Sequence, residues 1–368
     1  MKRTRKQIAM GAGLMVLAGS AAWLAGSPRA DTAAGSDTAV REKIVRFVRA
    51  KFGVPDSTKL TADALAPSLH PDFMTTTITS DDGKQKRNNP ALVSKDGRFL
   101  ILGSIYALGS DAQDEMIKHV REQFKLPVTV NVKAGAPRPS TFPGLLATTF
   151  TVEEGQQKQT QDFYLTKDNR FFVLGKVFNL GVDLKREALS TISTVNQPSR
   201  GPITAPVTVV EYGDLQCPTC ARLHEFLENN LLPKYNSKVR VVYKEFPLSS
   251  IHDWTLTATL ANQCAYQLNP ETYVPLRSLI FKNQLSLTAS NVRDQVISYG
   301  EQVGLDRLRL AACIDSKASL PRIEANFREG QTLGVQSTPT SFINGKMIVG
   351  LPQEDLIKAV DEALRAAK

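Results

Sequence analysis

The chain has 368 residues, of which 42% are hydrophobic and 22% charged, and a formal net charge of +9. That length points to two or three domains, and the composition is that of soluble globular protein rather than a disordered segment. Part of the positive charge sits in Lys2, Arg3, Arg5 and Lys6 and no basic run follows, which excludes a nucleic-acid-binding surface in favour of an ordinary solvated one.

The first residues read as an export signal. A cationic start, Met1 to Lys6, precedes an apolar stretch rich in small residues from Ile8 to Ala25, and then Gly26-Ser27-Pro28-Arg29-Ala30. Residues 1–30 are expected to be a signal peptide, or a membrane anchor through residues 8–25 if they are retained. Pro28 stands where cleavage after Ala30 would want a small residue, so the cleavage site stays open. The chain is therefore expected in the periplasm or elsewhere outside the cytoplasm, where disulfides persist.

Residues 31–40 read as a flexible lead-in. From Val40 the chain repeats itself: Phe52 aligns with Phe124 and Pro55 with Pro127, each 72 residues on. The clearest pair is Ser94-Lys95-Asp96-Gly97-Arg98-Phe99 against Thr166-Lys167-Asp168-Asn169-Arg170-Phe171. Two copies, 40–111 and 112–183, are a tandem duplication and not a solenoid. Each predicts a helix (40–53 and 112–125), a strand (73–80 and 145–152), a turn to a second strand, and a last strand (98–106 and 170–178) after a hairpin turn. That is a small α+β unit. The units contain no cysteine, and His70 and His119 fall at non-equivalent repeat positions. A scaffold, dimerisation or client-binding role is expected of them, with no catalytic constellation.

Residues 184–202 read as a linker, helical and then rich in Pro, Gly and Ser. The remainder, 203–368, predicts a strand 206–213, a helix running to about Leu232, and a strand 239–243. A helical block over 252–330 follows. The end is Val335-Gln-Ser-Thr-Pro-Thr-Ser-Phe-Ile343, an Asn344-Gly345 turn, a strand 346–349 and a last helix 353–367.

Cys217-Pro218-Thr219-Cys220 sits where the first of these strands hands over to its helix. A helix start offers unpaired N–H groups and the positive end of the macrodipole, both of which favour a thiolate. Cys217 is the expected attacking sulfur, Cys220 its partner one turn on, and Pro218 suits the first helical position. A Cys-x2-Cys is also half of a zinc knuckle, but no second knuckle exists and His224 reads as a surface residue. No metal and no cofactor are expected. If Cys217 and Cys220 pair reversibly, Cys264 and Cys313 remain for a structural bridge; a relay passing electrons to the first pair is the other reading.

These residues carry a resemblance. The strand, Cys217-Pro218-Thr219-Cys220 at a helix start, a helical insertion and Ser337-Thr338-Pro339-Thr340 before a ββα ending resemble thioredoxin-fold thiol–disulfide oxidoreductases of the DsbA type, over about 203–367. The fold class implied is an α/β thioredoxin fold with helical insertion, preceded by two tandem small α+β units. In that family the proline matching Pro339 is cis and lies against the active-site disulfide, next to Thr338. A buried acid and a lysine there assist proton transfer, which points to Glu211 and Lys244, with Asp214 a further charged candidate. Some relatives carry a second disulfide in the insertion, placed like Cys264 and Cys313. The duplicated units are reminiscent of the dimerisation domain of DsbC- and DsbG-type isomerases, which have one copy where this chain has two. Two copies in one chain would remove the need for a partner, so a homodimer through the repeats and an internal pairing both stay open.

The expected activity is thiol–disulfide exchange on unfolded or reduced secreted proteins, recycled by a membrane or periplasmic redox partner. Dithiol oxidation is the first reading, isomerisation or reduction the second, and a non-catalytic client-binding chaperone a third of different class.

Overall fold

The structure, a computed structural model, describes residues 34–154 and 157–367. The export signal or anchor expected over 1–30 lies outside the described residues. Among them, no helix is long and apolar enough to cross a membrane. The chain divides into two compact units. Described residues up to Val48 join Ser57–Val182 in one, and Arg49–Asp56 join Asp183–Lys368 in the other.

The first unit is built twice over. Helix α1 (Ala34–Phe52) precedes β1 (Lys59–Ala62), β2 (Ala66–Pro67), β3 (Phe73–Asp81), β4 (Lys86–Ser94) and β5 (Phe99–Ala107). Helix α2 (Ala112–Phe124) precedes β6 (Asn131–Ala134), β7 (Arg138–Pro139), β8 (Leu145–Glu154), β9 (Gln157–Thr166) and β10 (Phe171–Asn179) in the same order. Helix α1 starts earlier than the expected lead-in allowed, because Asp37 in its first turn holds Arg41 at 3.1 Å and accepts the Leu65 amide at 3.2 Å. The short strands β1, β2, β6 and β7 were not expected: β2 and β7 have two residues each, and β1 and β6 alternate polar and apolar over only four.

All ten strands form one sheet, ordered β1-β3-β4-β5-β10-β9-β8-β6 with β2 on β3 and β7 on β8. Its centre is the antiparallel pairing of β5 with β10, in which Gly103 faces Gly175. These are repeat-equivalent residues, so a local two-fold axis passes between them. A Cβ on Gly103 would lie 2.2 Å from the Leu174 carbonyl oxygen, and one on Gly175 2.4 Å from that of Leu102. Glycine is required at both because the backbones meet there. The copies match in detail: Thr76 Oγ1 donates to the Asp63 carbonyl and Thr148 Oγ1 to the Gly135 carbonyl, both at 2.8 Å.

The second unit begins inside the expected linker. Helix α3 (Leu184–Thr191) is capped by Asp183, which accepts the Arg186 amide at 3.0 Å, and buries Ala188. Strand β11 (Ser199–Arg200) adds to the edge of a five-stranded sheet, β11-β13-β12-β14-β15. Residues 184–202 are thus part of this unit's structure, and Ala188 supplies the apolar anchor. Strand β12 (Val207–Gly213) leads to α4 (Pro218–Phe226), a π turn at Leu227–Leu231 and α5 (Leu232–Tyr235). Strand β13 (Val239–Glu245) returns parallel to β12, completing a βαβ. Five helices follow: α6 (Thr255–Leu268), α7 (Tyr273–Lys282), α8 (Val292–Gln302), α9 (Arg307–Asp315) and α10 (Leu320–Leu333). Strands β14 (Thr340–Ile343) and β15 (Lys346–Val349) are joined by Asn344-Gly345, both at positive φ (44° and 86°) as a tight hairpin turn requires, and α11 (Gln353–Ala366) ends the chain.

Alternation along the strands sorts the core. Val207, Val209, Val241 and Tyr243 pack with Leu223, Phe226 and Leu227 of the active-site helix region. Val210, Tyr212 and Val242 face the other way, toward Ala188, Phe246 and Leu333. A third cluster fills the helical insertion and contains Leu215, Cys217, Cys220, Trp254, Cys264 and Leu276.

Candidate active site

Cys217 caps the N-terminus of α4, with Pro218 as the first helical residue. The residue types dictate this: Cys217 keeps extended backbone angles (φ −77°, ψ 121°) while its carbonyl accepts the Cys220 amide at 3.1 Å. Both cysteines are free thiols and both are buried, Cys220 completely. Pro218 is exposed and Thr219 half-buried, its hydroxyl accepting from Arg222 at 3.1 Å.

The Thr338–Pro339 bond is cis. It brings the Thr338 carbonyl to the Cys217 thiol, which donates to it at 3.4 Å. Pro339 is buried beside it. The Asp214 amide donates to Cys220 Sγ at 3.4 Å.

These contacts divide the two sulfurs. A hydrogen bond from the Cys220 thiol, helped by the Cys220 and Thr219 amides and against the effect of burial, lowers the Cys217 pKa to about 6. Burial raises Cys220 well above the ordinary thiol range. Cys217 is therefore the sulfur that gives up its proton the more readily and Cys220 the one that keeps it, the division of labour a dithiol needs for exchange.

The loop before Cys217 is held by residues of the insertion. Asp214, fully buried, accepts from the Gln216 amide (2.7 Å), the Leu248 amide (2.7 Å) and Thr255 Oγ1 (2.6 Å), and pairs with His252 Nδ1 at 2.8 Å. Gln216 Oε1 accepts the Trp254 amide at 2.8 Å, and Gln284 donates to the Leu215 carbonyl at 2.9 Å. Of these, sequence reasoning singled out Asp214 alone. Apart from the adjacent Gln216 amide, its partners Leu248, His252 and Thr255 are distant in sequence and ordinary in type.

Glu211 is completely buried on the face of β12 that the active-site helix covers, and burial lifts its pKa to about 7. Lys244 is not beside it. It lies on the opposite face of the sheet, its ammonium 2.5 Å from Glu329 of α10 and above the Tyr212 ring. The expectation of a lysine next to the buried acid is corrected by strand parity: Tyr243 and Glu245 of β13 point to the cysteine side, and Lys244 between them points away. The cation beside Glu211 is Arg277 of α7, which sequence reasoning missed. The available signal was a charged residue inside the apolar run Tyr273-Val-Pro-Leu-Arg277-Ser-Leu-Ile-Phe281.

His224 is also corrected. It is buried, not on the surface, and bonds Ser278 at 2.8 Å; burial drops its pKa to about 3, so it stays neutral. Cys264 and Cys313 form a disulfide between α6 and α9, with Cα atoms 5.9 Å apart.

Fold and site define a thioredoxin-like domain with a helical insertion and a dithiol at its helix start. In agreement, residues 193–362 match the family model described as Thioredoxin. A stretch of 147 residues is 31% identical to the Na(+)/H(+) antiporter NhaA 3 of Salinispora tropica, 40% of this chain and 21% of that protein. The chain thus spans about a fifth of the length of the first curated relatives it matches. Probable disulfide bond formation protein D of Bacillus cereus is 24% identical over 217 residues, 54% of this chain and 99% of that one. Among solved structures, oxidised BdbD from Bacillus subtilis aligns with 22% identity and a TM-score of 0.41, over 47% of this chain and 95% of that chain. The C-terminal half of the chain is a thioredoxin-like domain, as the Cys217–Cys220 and Thr338–Pro339 pattern implied.

Proposed function

We propose that the protein is a thiol–disulfide oxidoreductase working outside the cytoplasm, in which Cys217 and Cys220 exchange with the thiols and disulfides of secreted proteins. The observation that carries this reading is the split between the sulfurs: a thiolate-prone Cys217 at a helix start, against the Thr338 carbonyl, backed by the buried thiol of Cys220. In the oxidising direction a client thiolate attacks the enzyme disulfide and forms a mixed disulfide with Cys217. A second client thiolate then displaces Cys217, leaving the enzyme dithiol and the client disulfide.

A depressed Cys217 pKa stabilises the reduced enzyme and so makes its disulfide a better oxidant, which favours dithiol oxidation as the main direction. Export rests on the cationic and apolar start of the sequence. A membrane or periplasmic partner would reoxidise the site. The β5–β10 pairing uses repeat-equivalent edges within one chain, which supports a self-contained scaffold or client surface in the first unit rather than dimerisation through that edge.

The test is the equilibrium of Cys217–Cys220 with glutathione buffers, on the full chain and on a Cys264→Ser/Cys313→Ser variant. A strongly oxidising, variant-independent equilibrium is expected. A moderate one moves the assignment to isomerase or reductase. If no reversible disulfide forms, the enzyme reading is wrong and a non-catalytic binding role replaces it.

A further inference from the structure

Arg277 is one cation held between two buried acids. It is completely buried, and so are Glu211 and Glu245. Arg277 Nη2 donates to both carboxylate oxygens of Glu211, at 3.0 and 2.9 Å. Arg277 Nη1 lies 3.8 Å from Glu245 Oε1, which also accepts from Tyr273 (2.6 Å) and Gln263 (3.3 Å). Among the described residues, Glu245 Oε2 and Arg277 Nε have no hydrogen-bond partner. The guanidinium is sandwiched by rings, 5.1 Å from the Tyr243 centroid and 4.9 Å from that of Phe281.

The backbone makes room for this arrangement. Gly213 pairs with Glu245 across β12 and β13, and a Cβ on it would lie 2.4 Å from Glu211 Oε1 and 2.8 Å from Arg277 Nη2. A side chain at 213 would have to displace the Glu211–Arg277 pair, and Glu211 is coupled to the redox pair: a Cys217 charge raises its pKa, and its own charge raises that of Cys220.

Two carboxylates and one guanidinium out of water leave one negative charge uncompensated if both acids ionise. An unpaired buried charge is strongly disfavoured, so Glu211, whose pKa burial raises, holds a proton in part of the neutral range. We propose that Arg277 is a positioning residue of the exchange reaction: by gripping Glu211 while facing Glu245, it sets the ionisation of Glu211 behind the cysteines, and thereby the pH profile of the redox equilibrium. This rests on the exchange activity proposed above.

The proton balance shows where it acts. A client dithiol gives up two electrons and two protons and becomes a disulfide. The enzyme S–S bond breaks, Cys220 takes one proton, and Cys217 remains a thiolate. The second proton goes to solvent or, drawn by the new negative charge, to the acid pair. The groups facing Glu211 are Cys217 and Cys220 from α4, Tyr243 and Glu245 from β13, Arg277 and Tyr273 from α7, and Ser341 of β14 in register with it. His224 of α4 is a neutral neighbour of Arg277, and Glu228 acts through Tyr243.

The test compares the wild type with Arg277→Met, Arg277→Lys and Glu245→Gln, reading the glutathione equilibrium from acid to alkaline pH. Arg277 holds the Glu211 pKa down and Glu245 holds it up. The wild type should show a step near 7 besides the Cys217 step near 6. Arg277→Met should move that step upward by about one pH unit or more, Glu245→Gln should move it downward, and Arg277→Lys should keep it in the neutral range; one unit is about tenfold in the equilibrium constant between the two positions. A merely structural role would not shift the step in opposite directions. If both charge-altering variants keep the wild-type profile, or both shift the same way, the inference is overturned. If Arg277→Met does not fold, Glu245→Gln alone decides by moving the step downward or leaving it. Absence of a reversible disulfide in the wild type overturns the proposed function as well, whereas unchanged variants of a working wild type overturn only the role of Arg277.

Discussion

The two units solve burial differently. In the first, the buried polar side chains among the described residues are His70, Thr76, Thr148 and Thr166, and the equivalent Thr76 and Thr148 are satisfied in parallel. In the second, Glu211, Asp214, Lys244, Glu245 and Arg277 are all at 1% exposure or less. A hydroxyl can be satisfied by one backbone carbonyl, but a buried charge needs a partner and shifts its proton affinity. Such groups cluster where chemistry is done. Under the proposed function, the first unit is architecture and the second is the place where protons and electrons move.

The sharpest way to break this contrast is at the sulfurs. Cys217→Ala should abolish thiol–disulfide exchange, a loss of at least about a thousandfold in rate against a dithiol substrate, with folding retained. Retained exchange would mean the chemistry lies elsewhere.

Next is the bridge across the insertion. Cys264→Ser/Cys313→Ser removes a cross-link closing a loop of 49 residues, which chain entropy values at about 4 kcal/mol. Denaturant unfolding of the second unit should register a loss of that order.

At the two-fold, Gly103→Val should destabilise the first unit by about 3 kcal/mol through backbone overlap, and leave the reactivity of Cys217 at its wild-type value. Equal stability would contradict the β5–β10 pairing.

A smaller effect is linked to pH. The folded Cys217 pKa, about 6, lies below the ordinary value of 9.0, so its thiolate contributes stability that is complete above the ordinary range and is lost as pH falls through about 6. At pH 7 this amounts to about 1 kcal/mol for the reduced protein, and the disulfide form lacks it. The stability gap between the two forms should shift toward the reduced protein on going from about pH 5.5 to pH 8.

Smallest are Thr76→Val and Thr148→Val. Each should cost about 1 kcal/mol, and by nearly equal amounts, because each removes the same hydrogen bond from one copy.

Much of this was legible in the sequence, and the exceptions share a cause. The Cys-Pro-Thr-Cys stretch, the duplication and the Asn344-Gly345 turn are local signals whose meaning survives in isolation. The helices over 252–330 followed from periodicity. What stayed hidden depends on long-range placement: Arg277 reaches Glu211 across 66 positions. Lys244 was paired with the buried acid through the family resemblance, and the parity of β13 turns it to the other face. His224 was misread because its apolar surroundings come from other elements, among them Phe281 at 5.3 Å. The expected linker hid a strand of two residues, too short for any pattern.

The most direct test of a redox site built on unequal sulfurs is the rate of Cys217 alkylation against pH in the reduced protein, with each cysteine of the pair followed by mass. A midpoint near 6 for Cys217 and no reaction at Cys220 across the neutral range are predicted. A midpoint near the ordinary 9.0, or equal reactivity of the two sulfurs, would contradict it.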